Sequence, residues 1–490
     1  METSTSITTN ERAAIDSVPK GLFIGGQWRP TAATLPVEDP STGEVLCEVA
    51  DATPAEALPA LDAAAAAQAD WARTAPRERS EILTRAYDLM IAEKERLALI
   101  MTLEMGKPLA EARGEVGYAA EFLRWFAEEA VRIDGGYMTA PAGGSKFLVS
   151  KQPVGVSLMI TPWNFPLAMG TRKIGPAIAA GCTSLIKPAA QTPLSTMAFA
   201  ELLTRAGLPD GVVNVVTTSS SDEVMTPLIL DERSRKLSFT GSTGVGKHLL
   251  ELCAKTVMRT SMELGGNAPF LVFADADLDA AVDGAMLAKM RNIGQACTAA
   301  NRILVQREVA AEFAERLTTR MRELPMGRGT EDGVVVGPLI DQRAVQKVTD
   351  LVADATSRGA TVHLGGQAHE GKGHFYPATV LTDVSPDAEM GSTEIFGPVA
   401  AITPFDSEEE AIALANDTPY GLVSYAYTRD LARGFRVGEG LEAGMVGLNL
   451  GVVSNPAAPF GGIKESGLGR EGGFLGIDEF LETKYIGIAI

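Results

Sequence analysis

Between residues 154 and 265, short apolar runs alternate with stretches of helical periodicity. The runs VGVSLMIT, TSLIKP, GVVNVVT and KLSFT predict strands, and helices are predicted near 167–180, near 193–206, before KLSFT and from about Val245. Apolar runs of this length that alternate with helices are typical of βαβ units and a parallel sheet. The pattern therefore predicts a parallel α/β domain.

A second α/β series begins at NAPFLVF (267–273) and includes predicted strands near 399–405 and 445–449. Ahead of both series, residues 21–50 predict short strands with Gly and Pro turns, and residues 54–132 predict helices interrupted at MGKP. The segment FLVSKQPVGVSLMITP has the pattern of a pair of strands. We expect an α/β protein with two domains and a cleft between them, in which ligands bind beyond the carboxyl ends of the strands.

Composition narrows the possible partners and the location. The chain has 490 residues, enough for two or three domains, and 43 Lys and Arg against 62 Asp and Glu give a net charge of −19. That charge disfavours binding to nucleic acid or to an anionic membrane. No apolar run can span a bilayer, the first twenty residues lack the apolar segment of a signal peptide, and four cysteines without a CxxC pair fit a reducing compartment. We therefore expect a cytoplasmic protein, and no ligand cluster predicts a metal site.

Three polar residues lie in segments where chemistry is possible. Cys297 lies in RNIGQACTAANR, among small and polar residues typical of a loop, so it is either a packing cysteine, the commoner case, or a nucleophile that a substrate can reach. Glu263 in MELGGNAP could act as a general base for such a thiol, although a lone loop glutamate is more often a solvated acid. Asn164 in TPWNFP could donate a hydrogen bond to an oxyanion, although packing is the better explanation of that turn taken alone.

The segment GSTGVGK (241–247) follows a predicted strand and opens a predicted helix. Such a turn directs backbone N–H groups and the positive end of the helix dipole towards an anion. Its glycine spacing departs from GxGxxG, and it fits GxxxxGK[ST] except that His248 replaces the hydroxyl residue that would bind magnesium. A nucleotide-binding phosphoryl-transfer protein therefore stays open as an alternative, beside a turn that binds nothing.

Seven motifs, taken in order, resemble those of a known family. They are TPWNFP, LIKPA, FTGSTGVG, ELGG, GQAC, EIFGPV and PFGGIKESGLGRE. Together they resemble the aldehyde dehydrogenase superfamily over nearly the whole chain. The segments RNIGQACTAANR and GLGREGGFLGIDEFLETKY most resemble its succinate-semialdehyde dehydrogenases. The resemblance disfavours the phosphoryl-transfer alternative.

The resemblance implies a covalent reaction. Cys297 would attack an aldehyde, Asn164 would stabilise the oxyanion, and a thioester would form that water, activated by Glu263, hydrolyses. Lys173 and Glu471 match positions that suit a proton relay.

For the substrate, the resemblance implies a distal carboxylate. Arg172, Arg291 and Ser454 occupy the positions that would bind it, and a guanidinium group fits a carboxylate bidentately. The implied reaction is oxidation of succinic semialdehyde to succinate, with glutaric semialdehyde or uncharged aldehydes as alternatives.

A nicotinamide cofactor is implied as well. Contacts with it are expected at Thr161, Trp163, Lys187, Ala190, Gly241, Ser242, Val245, Leu264, Glu394 and Phe396. Many NAD-specific relatives carry glutamate at the position of Ala190, where it would repel a 2′-phosphate. Since alanine does not, and Lys187 can attract the phosphate, NADP is expected to be preferred and NAD to be usable.

The implied architecture has three parts. Residues 1–135 and 154–265 would form a Rossmann-like cofactor domain, and residues 266–465 a catalytic domain. Residues 136–153 and 466–490 would form a small β bridging element that joins the subunits of a homodimer or homotetramer.

Overall fold

The computed structural model describes residues 7–490. Residues 1–6, which belong to the predicted first domain, lie outside the described residues. Its α-helices are α1 (Thr9–Asp16), α2 (Pro54–Arg73), α3 (Pro76–Ala92), α4 (Lys94–Met105), α5 (Leu109–Ala130), α6 (Ala168–Ala180), α7 (Leu194–Arg205), α8 (Ser221–Leu230), α9 (Thr243–Ala254), α10 (Leu278–Met290), α11 (Arg307–Arg322), α12 (Gln342–Ser357), α13 (Glu408–Asn416) and α14 (Leu431–Gly440). Short 3₁₀ helices cover Arg291–Gly294, Glu389–Gly391 and Asp478–Phe480.

The strands, in chain order, are β1 (Leu22–Ile24), β2 (Gln27–Arg29), β3 (Ala33–Asp39), β4 (Glu44–Asp51), β5 (Gly136–Thr139), β6 (Ser145–Pro153), β7 (Val156–Ile160), β8 (Ser184–Lys187), β9 (Val213–Val215), β10 (Ser234–Thr240), β11 (Arg259–Glu263), β12 (Ala268–Val272), β13 (Ala300–Gln306), β14 (Thr361–Leu364), β15 (Thr379–Thr382), β16 (Val399–Phe405), β17 (Tyr420–Gly421), β18 (Val423–Tyr427), β19 (Met445–Leu448), β20 (Ile463–Lys464), β21 (Gly467–Leu468) and β22 (Leu481–Ala489).

An eight-stranded sheet has the order β2-β1-β9-β8-β7-β10-β11-β21. Its five central strands, from β9 to β11 in that order, pair in parallel, and the remaining three pair antiparallel at the edges. Helices α6 to α9 connect the central strands, as the alternating pattern predicts. The last of these helices begins at Thr243 and not at the predicted Val245, because Ser242 takes the extended backbone of an N-cap.

A seven-stranded sheet has the order β14-β15-β16-β13-β12-β18-β19. All neighbours pair in parallel except β14 and β15. Phe270, Ile303 and Val380 on three of its strands are fully buried. Helices cover both faces of such a sheet, as parallel sheets require. The α/β fold class with two parallel sheets is therefore confirmed.

Helix α5 packs against α3, α4 and α6 and brings charged residues to the centre of the molecule. Val116, Ala119, Phe122 and Phe126 form its apolar face and are fully buried, with the spacing of an amphipathic helix. The predicted interruption at MGKP is present. Helix α4 ends at Met105, and its C-cap residue Gly106 has a φ of 92°, in the left-handed region.

A separate three-stranded sheet has the order β22-β6-β5 and is antiparallel throughout. The segment FLVSKQPVGVSLMITP supplies the two predicted strands, β6 and β7, which do not pair with each other. They belong to different sheets, because Gly155, with a φ of 119°, redirects the chain between them. Within residues 7–490, no helix is both long and apolar enough to cross a membrane.

Candidate active site

Two adjoining cavities, of about 310 and 920 Å³, lie where strands β7, β10 and β11 end. Both are lined by Trp163, Thr240, Gly241 and Ser242, so they form one continuous groove. Open α/β sheets bind ligands at this edge. The groove is lined by all ten residues predicted to contact the cofactor: Thr161, Trp163, Lys187, Ala190, Gly241, Ser242, Val245, Leu264, Glu394 and Phe396.

Cys297 lines the smaller cavity, a few residues beyond the end of α10. A side chain at Gly266 would place its Cβ 2.4 Å from the Cys297 carbonyl oxygen, so the second glycine of ELGG lets the loop approach β11 and β12. Burial raises the pKa of the Cys297 thiol to about 12, and Glu394 acts in the same direction while Arg172 opposes it. The thiol is therefore protonated in the resting protein at neutral pH.

Asn164 lies between β7 and α6 and lines the same cavity as Cys297. Its Nδ2 donates to the Gln295 carbonyl oxygen at 3.0 Å, and its Oδ1 has no partner among the described residues. The backbone carbonyl oxygen of Asn164 accepts hydrogen bonds from Lys107 Nζ at 2.8 Å and from Asn292 Nδ2 at 2.9 Å. The amide is therefore held beside the nucleophile loop, with one N–H of Nδ2 uncommitted.

Glu263 ends β11, and its side chain is only 3% exposed. Neither carboxylate oxygen has a hydrogen-bond partner among residues 7–490. Burial raises the pKa of Glu263 well above its ordinary value, and the charge of Glu471 adds to that effect. Burial therefore favours the protonated form of Glu263, because an unpartnered carboxylate is costly to bury.

Glu471 differs from Glu263 in its partners. Burial acts against its charge, but contacts with Arg172 and Lys173 hold the pKa of Glu471 below its ordinary value. Lys173 Nζ also donates to Ser238 Oγ at 3.0 Å. The structure thus brings Lys173 and Glu471 into direct contact beside Glu263.

The groove offers donors that suit a dinucleotide. Ser242 occupies the N-cap of α9, but its side chain makes no capping hydrogen bond. The first N–H groups of that helix therefore have no hydrogen bond from the Ser242 side chain and can donate to an anion. Thr161 and Thr240 line the groove with buried hydroxyls that have no partner among the described residues. Lys187 Nζ donates to Ser221 Oγ at 2.8 Å, and burial lowers the pKa of Lys187 to about 8. These residues fit a bound NAD(P).

At the smaller cavity, the side chains of Trp163 and Phe396 meet edge to face, with ring centroids 5.4 Å apart. Glu394 Oε1 accepts a hydrogen bond of 3.2 Å from the Gly266 N–H, and burial raises the pKa of Glu394 to about 7. Trp163, Glu394 and Phe396 therefore line the same cavity as Cys297.

Arg291 and Ser454 meet, as predicted, although they are far apart in sequence. Arg291 Nη1 donates to Ser454 Oγ at 3.2 Å, and the guanidinium carbon lies 4.9 Å from the ring centroid of Phe165 and 5.8 Å from that of Tyr118. No carboxylate of residues 7–490 forms an ion pair with Arg291. Its charge is therefore available to an anionic ligand.

Arg172 has a different environment from Arg291. It is 1% exposed, pairs with Glu471 and lies 4.3 Å over the ring centroid of Phe460. Its contribution to substrate binding stays a prediction, since Glu471 already occupies part of its guanidinium group.

Sequence reasoning missed several charged residues near the site. Lys107, Glu111 and Glu115 surround the first turn of α5 and contact the segments that contain Asn164 and Cys297. Lys289 is fully buried, and burial lowers its pKa to about 7. The available signal was a charged residue on the otherwise apolar face of a predicted helix, which is rare unless the charge is paired.

Comparison with known proteins decides the family. The model of the aldehyde dehydrogenase family matches residues 28–486. The chain belongs to the aldehyde dehydrogenase family. As a member, it is an enzyme that uses NAD(P), and the phosphoryl-transfer alternative is not favoured. In this aldehyde dehydrogenase the lysine of GSTGVGK, Lys247, is exposed and pairs with Glu465.

Individual aldehyde dehydrogenases match over nearly their whole length. A succinate-semialdehyde dehydrogenase of Paenarthrobacter nicotinovorans is 58% identical over 91% of this chain and 99% of its own. A glutarate-semialdehyde dehydrogenase of Pseudomonas putida is 51% identical over 96% of this chain and 97% of its own. A crystal structure of an NADP-dependent enzyme of Escherichia coli superposes with a TM-score of 0.95 at 50% identity, over 96% of this chain and 98% of its own.

Proposed function

We propose that this aldehyde dehydrogenase oxidises a semialdehyde with a distal carboxylate, and that succinic semialdehyde is its best substrate. The observation that carries the proposal is the pair Arg291–Ser454, in which the arginine has no carboxylate partner among the described residues. A partly buried guanidinium group without a counter-charge favours an anionic ligand, and its fork matches a carboxylate.

The names of the relatives support an acidic substrate. Those at 50% identity or more include succinate-semialdehyde, glutarate-semialdehyde and 3-sulfolactaldehyde dehydrogenases. All three substrates pair an aldehyde with a carboxylate or sulfonate. Glutaric semialdehyde and uncharged aldehydes are therefore the alternatives that the assays below separate.

The proposed reaction begins at Cys297. Its sulfur attacks the carbonyl carbon, the thiol proton passes to solvent water, and the C=O π electrons move to oxygen to give the oxyanion of a thiohemiacetal. The Asn164 amide and the Cys297 backbone N–H stabilise that oxyanion. Bound NADP or NAD would supply the acceptor for the hydride that this carbon loses. Loss of the hydride would leave the carbon bound to Cys297 as a thioester.

Hydrolysis of the thioester is assigned to Glu263. The carboxylate takes a proton from water, the hydroxide attacks the carbonyl, and the C–S bond breaks to leave the carboxylic acid and Cys297. Glu263 must then lose its proton. Lys173 and Glu471, which contact each other beside it, are proposed to relay that proton away.

Cofactor preference and domain roles belong to the same proposal. Lys187 and Ser221 would bind a 2′-phosphate that Ala190 does not repel, so NADP would be preferred and NAD used. Residues 1–135 and 154–265 would carry the cofactor, and residues 266–465 the nucleophile. Residues 136–153 and 466–490 would join subunits into a dimer or tetramer.

The test compares Arg291→Ala and Arg172→Ala on succinic semialdehyde and on butanal. Hydrogen bonds to a charged group contribute about 1.5–3 kcal/mol each, so losing one should lower kcat/KM for the semialdehyde about 10- to 150-fold. Butanal has no carboxylate, so its kcat/KM should change little. Arg320→Ala, which removes an exposed arginine paired with Asp283, is the control for a general effect.

Two results would contradict the proposal. If the wild-type enzyme does not prefer the semialdehyde over butanal, the substrate assignment is wrong. Equal losses on both substrates in the Arg291 variant would make that arginine structural. A wild-type preference for glutaric over succinic semialdehyde would change the assigned chain length of the substrate. It would still support a site that binds the distal carboxylate.

A further inference from the structure

The turn that leads into the nucleophile loop has an unusual backbone. Asn292, Ile293 and Gly294 are consecutive residues with φ values of 54°, 60° and 72°. The left-handed region is unfavourable for non-glycine residues and most of all for a β-branched residue such as isoleucine. Such a backbone persists only where surrounding contacts hold it. Cys297 follows three residues later, so whatever holds this turn also places the sulfur.

Asn292 makes the contacts that link this turn to the rest of the site. Its Nδ2 donates to the carbonyl oxygens of Asn164 and Gln295, both at 2.9 Å. Asn164 Nδ2 donates to the same Gln295 oxygen at 3.0 Å. One buried side chain therefore connects the loop of the nucleophile with the turn of the oxyanion amide.

The backbone of Asn292 is held from outside the site. Its N–H donates to Glu111 Oε2 at 2.6 Å. Glu111 lies in the first turn of α5, does not line either cavity of the groove, and forms no ion pair within residues 7–490. The carboxylate therefore acts on the site through its hydrogen bond to the N–H of Asn292, a residue whose backbone is left-handed.

We propose that Glu111 is a positioning residue of this enzyme: by holding the Asn292 N–H it fixes the turn that places both Cys297 and Asn164. The proposal rests on the proposed role of Cys297 as the nucleophile. Glu111 itself touches neither substrate nor cofactor in this account. It acts by keeping reacting groups in a narrow range of positions, and displacements of about 1 Å at such groups can cost about 100-fold in rate.

The neighbouring pair Lys107–Glu115 supports the same region but offers a poorer test. Glu115 Oε1 accepts from the N–H groups of Leu167 and Ala168 at the start of α6, and Lys107 Nζ donates to the Asn164 carbonyl. The pair is fully buried, so removal of one partner leaves an uncompensated charge and destabilises the whole protein. Burial raises the pKa of Glu111, but Glu111 forms no ion pair within residues 7–490, so its removal leaves no ion-pair partner behind.

The experiment uses full-length Glu111→Ala and Glu111→Gln, assayed on whichever aldehyde the wild-type enzyme oxidises fastest. Glutamine keeps an oxygen that can accept the Asn292 N–H, whereas alanine does not. Glu56→Ala is the matched control, because Glu56 lies in the first turn of α2, accepts the backbone N–H of Thr53 at 2.9 Å and lines neither cavity of the groove. The measurements are kcat, KM for NADP, thermal unfolding, and alkylation of Cys297 by iodoacetamide at pH 8, followed by mass spectrometry.

We expect Glu111→Ala to lower kcat about 10- to 100-fold with KM for NADP nearly unchanged. Alkylation of Cys297 should become faster, since a released loop exposes the thiol and lowers its raised pKa. Slower turnover and faster alkylation at an unchanged temperature of thermal unfolding distinguish a released loop from a general loss of stability. Glu111→Gln should restore both rates, and Glu56→Ala should change neither.

Three results would overturn the proposal. Glu111→Ala could retain wild-type kcat and alkylation, Glu111→Gln could be as impaired as the alanine variant, or Glu56→Ala could reproduce the loss. Failure of the proposed function is a separate result, because it requires turnover by Cys297→Ala or a wild-type enzyme without preference for carboxylate-bearing aldehydes.

Discussion

The chemistry of Cys297 depends on its thiol, on the loop that carries it and on the charges around it. Its thiol borders the cavity, burial raises its pKa to about 12, and Arg172 lowers it. We predict that Cys297→Ala abolishes aldehyde oxidation and leaves NADP binding intact, because the larger cavity, with Lys187, does not involve the thiol. Turnover by absorbance at 340 nm and NADP binding by calorimetry are the measurements. Substantial turnover by the purified variant would contradict the assignment.

Glu263 gives a second prediction at this scale, on pH. Its pKa is raised by burial, and only the ionised carboxylate can take a proton from water. Thioester hydrolysis should therefore slow as the pH falls through the raised pKa. Glu263→Gln cannot ionise, so a burst of reduced cofactor should precede a slow phase that has lost this pH dependence. Stopped-flow assays between pH 6 and 9 test this, and a variant with wild-type hydrolysis would exclude Glu263 as the base.

Single residues could be predicted from the sequence more readily than their partners. The motifs predict Cys297, Asn164 and Glu263 as members of one site, and the structure brings the first two to one cavity wall. The contact of Arg172 with Glu471 could not be predicted, because the two residues meet only after α6 packs near the C-terminal segment. Side-chain contacts over such separations depend on packing, which a sequence pattern does not encode.

We predict that the segment from β8 to α7 controls the choice between NADP and NAD. Lys187 ends β8 with a free charge, and Ala190 follows in the turn on the wall of the larger cavity. We predict that Ala190→Glu lowers kcat/KM for NADP by about tenfold or more, because a carboxylate there repels the 2′-phosphate and pairs with Lys187. Ala190→Gln, of equal size without charge, should retain the preference. A wild-type kcat/KM for NAD well above that for NADP would contradict the proposed preference.

We also predict that the same segment makes NADP binding depend on pH. Burial lowers the pKa of Lys187 to about 8, so its charge is complete below that pH and is lost above it. KM for NADP should therefore increase as the pH rises through about 8, while KM for NAD, which has no 2′-phosphate, should change much less. Initial-rate measurements with both cofactors from pH 7 to 9.5 test this. Parallel profiles would show that Lys187 does not act on the phosphate.

Elements with strong periodicity were predictable from local sequence, whereas sheet membership was not. The strands β7, β8, β9 and β10 and the helices between them follow the apolar runs. The neighbouring strands β6 and β7 are almost continuous in sequence, yet Gly155 separates them into two sheets. Strand pairing depends on long-range contacts that a short pattern leaves open. The helix α1 was not predicted at all, since its eight residues carry little apolar periodicity.

At the scale of the whole molecule, the two parallel sheets follow from the repeated alternation of strands and helices, but the groove between them does not. It needs residues from both: Trp163 and Ser242 from the first series, and Cys297 and Glu394 from the second. The sequence also gives a net charge of −19, which repels anions in general. Binding of an anionic semialdehyde and of a dinucleotide therefore depends on local cations, of which Arg291 and Lys187 lack carboxylate partners among the described residues.

The three-stranded sheet carries the last prediction, on assembly. Tyr137, Leu148 and Ile486 stand directly opposite one another across β5, β6 and β22, and they are 67%, 38% and 43% exposed. A row of exposed apolar side chains on a small sheet with open edges is typical of a surface that another chain covers. The expected wild-type enzyme is a dimer or tetramer by light scattering. Ile486→Asp combined with Tyr137→Asp should give a smaller assembly, because charges are costly to bury at such a contact. Leu58→Asp, at an exposed apolar position on α2, is the control and should not change the mass. A monomeric wild type, or an unchanged mass in the double variant, would show that this sheet does not join subunits.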